Sequence, residues 1–271
     1  MWEGGLLWLL ILFSGAAVAG FATFGQNPAL LSAVPWALSF YGPSYTVFSL
    51  GQILLAGGVL SVVLALRAPP RWVLAFGASY VVSLASELAG TNVGFPFGHY
   101  SYGGGLGPKW FEDVPWVIPL SWFMMAVPSY YLAGRVAGAG RRWLRVGLGA
   151  LILTAWDVPL DPAMSYATSY WIWESSGPFY GMPWVNLGGW LLTSVAIMAI
   201  LEAMEGRTWI DGLPGSWLAV FYASNVLLAV GIAAGAGLWG AVAATAGVYG
   251  ALGALAWGLW AARSTQERWV G

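Results

Sequence analysis

The sequence contains no cysteine, one histidine and one lysine, and each shortage removes a class of chemistry. Without cysteine there are no disulfides, no iron–sulfur clusters and no thiol nucleophile. His99 alone cannot build the many-histidine iron site of a membrane hydroxylase or desaturase. Lys109 stands among glycines and aromatics between apolar runs, so no lysine is available within a run for a retinal Schiff base. Charge of either sign is scarce: 10 Lys+Arg and 11 Asp+Glu must serve 271 residues, and a net charge of -1 gives no reason to expect a nucleic-acid partner.

Apolar residues fill the space that charge leaves, at 59% of the chain. Runs long enough to span a bilayer lie at 5–24, 45–66, 72–90, 115–134, 143–161, 186–204, 216–236 and 238–262. The first is too long for a signal-peptide core and is preceded by Glu3 instead of a basic residue. The expected fold is all-α, a polytopic integral membrane helix bundle of about eight transmembrane helices in a single domain over 1–271. Seven is the alternative count, because only Gly235 to Gly240 divides the last two runs, and Pro159 and Pro162 are expected to interrupt the end of the fifth. With eight helices, Arg67, Arg71, Arg135, Arg141, Arg142, Arg145, Arg207, Arg263 and Arg268 fall on one side and Lys109 on the other. The excess of basic residues on the cytoplasmic side then predicts a multi-pass protein of the cell membrane with both termini cytoplasmic. Gly134-x-x-x-Gly138 and Gly231-x-x-x-Gly235 are expected to let helices approach closely.

An ionisable side chain in hydrocarbon is costly, so acids at the ends of spanning runs are candidate site residues. Glu87, Asp157 and Asp161 fall at the outward ends of the third and fifth runs, while Glu174 lies in a long outward loop, all without a nearby arginine in sequence. Asp157 and Asp161 are four apart, which on an unbroken helix puts both carboxyls on one face. Meeting there, like charges in a poorly hydrated site favour a neutral carboxylic acid beside an ionised one, the combination acid catalysis uses. Their bland alternative is to cap a helix broken at Pro162, and that of Glu87 is to bond to a neighbouring helix. Glu202, Glu205 and Asp211 sit beside Arg207 and read as solvated surface charge. Asn186 and Asn225 could hold a water, steady a carboxylate or join helices, and His99 could relay protons or simply anchor an interface.

Nineteen tryptophans exceed what interfacial belts need, and the surplus lies in the outward loops. Phe97, Tyr100 and Tyr102 belong to one loop, and Tyr170, Trp173 and Trp184 to the other. Tyr166, Tyr170 and Trp173 recur at helical spacing, which predicts either a short amphipathic surface helix or one wall of an aromatic pocket. Such a pocket beside acids would hold a long polyene and stabilise a cation by ring faces, worth about 0.5–2 kcal/mol per ring. Carboxylic acids, amides and rings suit protonation of an alkene, followed by water capture or proton loss. A site within the bilayer further implies a lipid-soluble substrate entering sideways.

Four stretches carry a family resemblance: Gly94-Phe-Pro-Phe-Gly-His-Tyr-Ser-Tyr102 with Leu106-Gly-Pro108, Val114-Pro-Trp-Val-Ile-Pro-Leu-Ser-Trp122, Trp156-Asp-Val-Pro-Leu-Asp-Pro-Ala-Met164, and Tyr170-Trp-Ile-Trp-Glu174 through Gly177-Pro-Phe-Tyr-Gly-Met-Pro-Trp-Val-Asn186 to Trp190. They resemble the membrane-integral carotenoid 1,2-hydratase (CruF) family over residues 80–195. The resemblance implies hydration of the carbon-1, carbon-2 double bond of an acyclic carotenoid end group, giving a tertiary 1-hydroxy product without a cofactor or metal. It also implies a carotenoid taken from the bilayer, water as co-substrate, and association with other enzymes of the carotenoid pathway. Asp157 and Asp161 would then share the acid work, Glu87 or Glu174 would orient water, and Trp173, Trp184 and Tyr170 would line the cation. A carotenoid cyclase or isomerase starts from the same protonation and stays open as an alternative. So do a magnesium-dependent prenyltransferase using Asp-x-x-x-Asp and a lipid or carotenoid transporter.

Overall fold

A computed structural model describes the backbone of residues 2–270 and the side chains of 2–262, so the side chains of Arg263 and Arg268 lie outside the described residues. The chain forms an all-α bundle with four short strands confined to its loops. The long helices are α1 (Trp2–Gly20), α2 (Leu38–Arg67), α3 (Arg71–Val93), α4 (Val117–Ala137), α5 (Arg142–Asp161), α6 (Trp184–Ala203), α8 (Gly215–Gly235) and α9 (Trp239–Val270), with the five-residue α7 (Gly206–Ile210) between α6 and α8. Among the described residues eight helical segments are long and apolar enough to cross a membrane, and each overlaps one of the runs read from sequence. The alternative of seven is corrected by Gly237, whose φ of 73° turns the chain between α8 and α9 in a conformation that suits glycine.

Two boundaries differ from expectation. Helix α2 begins at Leu38, seven residues before the expected 45, because Pro43 sits in its second turn, where a missing backbone donor costs only one bond near the start. Helix α5 is not broken by Pro159 but runs on to Asp161. The chain then widens into a π-turn over Pro162–Tyr166, closed by Ala167 N–H donating to Pro162 O at 3.0 Å. Asp157 and Asp161 therefore share a continuous helix, one turn apart.

The long helices alternate in direction, so the segments 26–37, 94–116 and 167–183 gather at one end, called here the loop end. The connections 68–70, 138–141 and 204–214 gather at the other, the basic end. Helices α4 and α5 are central, with Trp122, Met125, Tyr130 and Leu153 fully buried, and α5 packs next on α6. Leu12, Leu66, Leu227 and Trp257 are exposed on the outside of the bundle, which suits a surface facing lipid tails.

Of the two glycine pairs, Gly231 and Gly235 of α8 do pack closely, against Val18 and Ala22. Of the other pair, Gly134 is also closely approached, an added Cβ meeting the Arg145 guanidinium of α5 at 2.5 Å, whereas Gly138 is corrected, since it turns the chain out of α4 with φ 76°. The expectation of solvated acids at the basic end holds for Glu205 and Asp211, which are exposed, while Glu202 is half-buried, and all three also have partners. Asp211 pairs with Arg145, which is buried and lies 4.0 Å over the Tyr130 ring. The Tyr130 hydroxyl donates to Glu202 at 2.5 Å, Arg71 pairs with Glu205, and Arg67 reaches Glu3 at 2.5 Å. These partners are far apart in sequence, so a local reading of charge could not find them.

Candidate active site

At the loop end two short strands form the frame of the site. Strand β1 (Tyr100–Tyr102) runs antiparallel to β4 (Trp171–Trp173), pairing Tyr100 with Trp173, Ser101 with Ile172 and Tyr102 with Trp171. A second pair, β2 (Lys109–Trp110) with β3 (Val114–Pro115), closes the loop before α4. Of the two alternatives for Tyr166, Tyr170 and Trp173, the amphipathic helix gives way to a strand with period two over Trp171–Trp173, and Tyr170 and Trp173 do stand in the wall of a cavity. Trp171 and Trp173 share one face of the ladder with Tyr100 and Tyr102, whereas Ser101 and Ile172 are exposed on the other.

The four inward residues grip two carboxylates. The hydroxyls of Tyr100 and Tyr102 both donate to Glu87 Oε2 on α3, the second at 2.8 Å, and Trp122 Nε1 of α4 donates to Oε1 at 2.8 Å. Trp171 Nε1 donates to Asp161 Oδ2 at 3.0 Å and Trp173 Nε1 to Oδ1 at 3.2 Å, with Ser165 Oγ adding a third bond at 2.8 Å. Each carboxylate is almost completely buried and receives three neutral donors; among the described residues no ion pair reaches either. Burial, then the neighbouring Glu87 charge, push the Tyr100 and Tyr102 phenols well above their ordinary value of 10.0, so both remain donors.

Asp157 differs from both. Its Oδ2 accepts from Asn186 Nδ2 at 2.6 Å, while Oδ1 is buried without a hydrogen-bond partner among the described residues. It is close enough to Asp161 to interact electrostatically. Neither aspartate caps the helix, since the start of the π-turn has no side-chain cap.

Glu87 and Asp161 stand in the wall of one cavity of about 490 Å³, together with Tyr100, Tyr102, Trp171, Trp173 and Asn186. That volume lies within the usual 300–1,000 Å³ or so of small-molecule sites. Trp122 and Trp190 stack at 4.0 Å in the same wall, and Trp156 meets Trp190 edge-on at 5.9 Å. The lining also includes Ala16 of α1, Phe40 of α2 and Trp36 of the turn before α2, all three exposed on the outside of the bundle. Deeper along those helices Ser14 Oγ donates to Gln52 Oε1 at 3.0 Å, and Gln52 Nε2 reaches Asn225 Oδ1 at 3.4 Å.

Phe97 is buried near the acids, in space left by Gly90 of α3 and Gly189 of α6, where an added Cβ would lie 2.8 and 2.6 Å from its ring. Tyr170 lines the cavity and anchors its loop by donating to Tyr45 O at 2.9 Å. Three expected site residues fall elsewhere. Glu174 is exposed, His99 is exposed, and Trp184 is 58% exposed and stacked on Phe179; none lines the cavity. Sequence reasoning assigned no role to Trp122, Trp171, Ser165 or Gln52. The period-two triplets Tyr100-Ser101-Tyr102 and Trp171-Ile172-Trp173 were the available signal for the strands, and a glutamine within an apolar run was the signal for Gln52.

A bundle with eight spans among the described residues, holding buried acids in the wall of an aromatic cavity, defines a polytopic membrane protein. The chain matches the family described as carotenoid biosynthesis protein over residues 47–252 of its 271, and it belongs to that family. It is similar to bisanhydrobacterioruberin hydratase of Haloarcula japonica, being 37% identical over 128 residues, which are 46% of this chain and 43% of the relative. The similarity thus spans less than half the length of that relative. No solved structure matches the chain.

Proposed function

We propose that this chain is a carotenoid hydratase that adds water across the carbon-1, carbon-2 double bond of an acyclic end group, using no redox cofactor. The observation that carries this reading is the pair of carboxylates, Glu87 and Asp161, set in the wall of one aromatic cavity and held, among the described residues, only by neutral donors. Membership of a carotenoid biosynthesis family and the hydratase name of the relative support it.

In this reading the polyene enters from lipid between α1 and α2, and its end group reaches the acids. Asp161 delivers a proton to carbon 2, leaving a tertiary cation at carbon 1. Its three donors stabilise the carboxylate left behind, and Asp157, one turn back with an open Oδ1, restores the proton. The ring faces of Trp122, Trp156 and Trp190 favour the cation. Glu87 aligns a water that attacks carbon 1 and takes up its spare proton, and return of that proton to Asp157 resets the acids, so alkene plus water gives a tertiary alcohol with no electrons exchanged. Both oxygens of Asp161 and one of Asp157 are occupied by N–H and O–H donors, an arrangement that disfavours the magnesium-diphosphate use of these aspartates. The same reading sets the chain in the cell membrane with both termini cytoplasmic.

The test supplies membranes containing the protein with an acyclic carotenoid in oxygen-18 water and follows product mass. A labelled hydroxyl is expected. A product of unchanged mass would make the chain a cyclase or isomerase, and untouched substrate would return it to binding or transport.

A further inference from the structure

The cavity described above is walled largely by rings and, in the proposed reading, admits its polyene from lipid, yet hydration consumes one water in each turnover. On the loop side of Tyr100 and Tyr102 lies a second hollow of about 120 Å³, lined by Thr91, Ser101, Lys109, Glu112, Asp113 and Glu174. Its volume has room for several waters and its lining offers them partners throughout. Tyr100 and Tyr102 belong to both linings, so these two residues of β1 stand between the hollow and the cavity. Their hydroxyls end on Glu87, the group that aligns water in the proposed reaction. The hollow is also braced: Lys109 Nζ donates to Tyr102 O at 2.5 Å, and Asn92 Nδ2 to Asp113 Oδ2 at 3.0 Å. The polar loop residues that the acid site leaves unused, Glu174 among them, thereby acquire a common place.

We infer that the two reactants arrive by separate doors: the polyene from lipid between α1 and α2, and water from the loop end through this hollow, past Tyr100 and Tyr102 to Glu87. The inference rests on the hydratase reading and adds a water route to it. A dry apolar mouth passes water poorly because a water there gives up its hydrogen bonds, whereas the hollow replaces them.

The chain has no cysteine of its own, so single cysteines can be labelled without background. Thr91→Cys and Ser101→Cys place a thiol in the hollow, and Ser176→Cys places one in an exposed loop outside both linings. Each purified variant in lipid nanodiscs is treated with a cationic, membrane-impermeant methanethiosulfonate and assayed for oxygen-18 hydroxyl formation and for retained carotenoid absorbance. Labelling at Thr91→Cys or Ser101→Cys is expected to slow hydration at least tenfold relative to the same variant unlabelled, with carotenoid binding retained and Ser176→Cys unaffected. Full hydration by either labelled hollow variant, or failure of both hollow thiols to react, would overturn the route. Unlabelled wild-type protein run alongside separates the two ideas: if it forms no labelled alcohol, the hydratase reading has failed and the route falls with it.

Discussion

The two ends of the bundle treat the same functional group in opposite ways. At the basic end Glu3, Glu205 and Asp211 each meet an arginine, and Arg145 is buried to do so. At the loop end Glu87 and Asp161 are buried more deeply than Glu205 or Asp211, yet they receive only phenols, indoles and one serine hydroxyl. A guanidinium fixes a carboxylate as an anion, which helps a scaffold and hinders proton exchange. Neutral donors position the group and leave it free to gain or lose a proton. Under the proposed hydratase reading, the contrast puts the chemistry at the end where Glu87 and Asp161 are buried without an arginine, and leaves the arginine-paired acids of the other end a structural part.

The most direct way to break this contrast is to remove one acid from each end. Asp161→Asn should lower labelled-alcohol formation by about 10²–10⁴, the usual effect of losing a general acid. Asp211→Asn should leave turnover within a few fold, and an equal loss in both variants would end the division. Arg145→Ala should instead cost about 2–4 kcal/mol of stability, below the figure for a fully buried pair because the Asp211 side chain is 44% exposed. Thermal unfolding in detergent reads that loss, and it should come without a change in product. Removing single donors sharpens the comparison: Trp173→Phe or Tyr102→Phe each deletes one of three bonds to a carboxylate, and about tenfold slower turnover with little loss of stability is expected. The smallest effect concerns alkali. Because the folded Tyr100 and Tyr102 phenols lie above their unfolded value of 10.0, their contribution to stability is fully present below that pH and is lost as pH rises through the folded values. Unfolding midpoints should therefore stay level to about pH 10 and decline beyond it, and Tyr102→Phe should make the decline shallower.

Much of the bundle was legible because lipid simplifies the problem: an uncharged run of sufficient length must be a helix. Every span was found, but the start of α2, expected at 45, and the continuity of α5, where Pro159 read as a break, were not. The acids Glu87, Asp157 and Asp161 were legible for the same reason of cost in hydrocarbon, and the structure puts Glu87 and Asp161 in one cavity wall with Asp157 one turn behind. What surrounds them was harder to read. Spacing at 166, 170 and 173 suggested a helix, whereas pairing with a strand some seventy residues earlier decides the backbone of that segment. Glu174, His99 and Trp184 were plausible by composition alone, and only tertiary placement sets them outside the cavity.

The ladder between β1 and β4 has a consequence for how such a chain can change over time. Because side chains alternate across a strand, inserting or deleting one residue in either triplet would turn its two ring donors from the carboxylates to solvent. The other strand would still hold its own acid, but the cross-strand neighbours Tyr100–Trp173 and Tyr102–Trp171 would be lost with the register. Length variation in these two loops is thus tolerable only outside the triplets, so relatives that keep both acids should share the phase of both strands even where the surrounding loops differ in size.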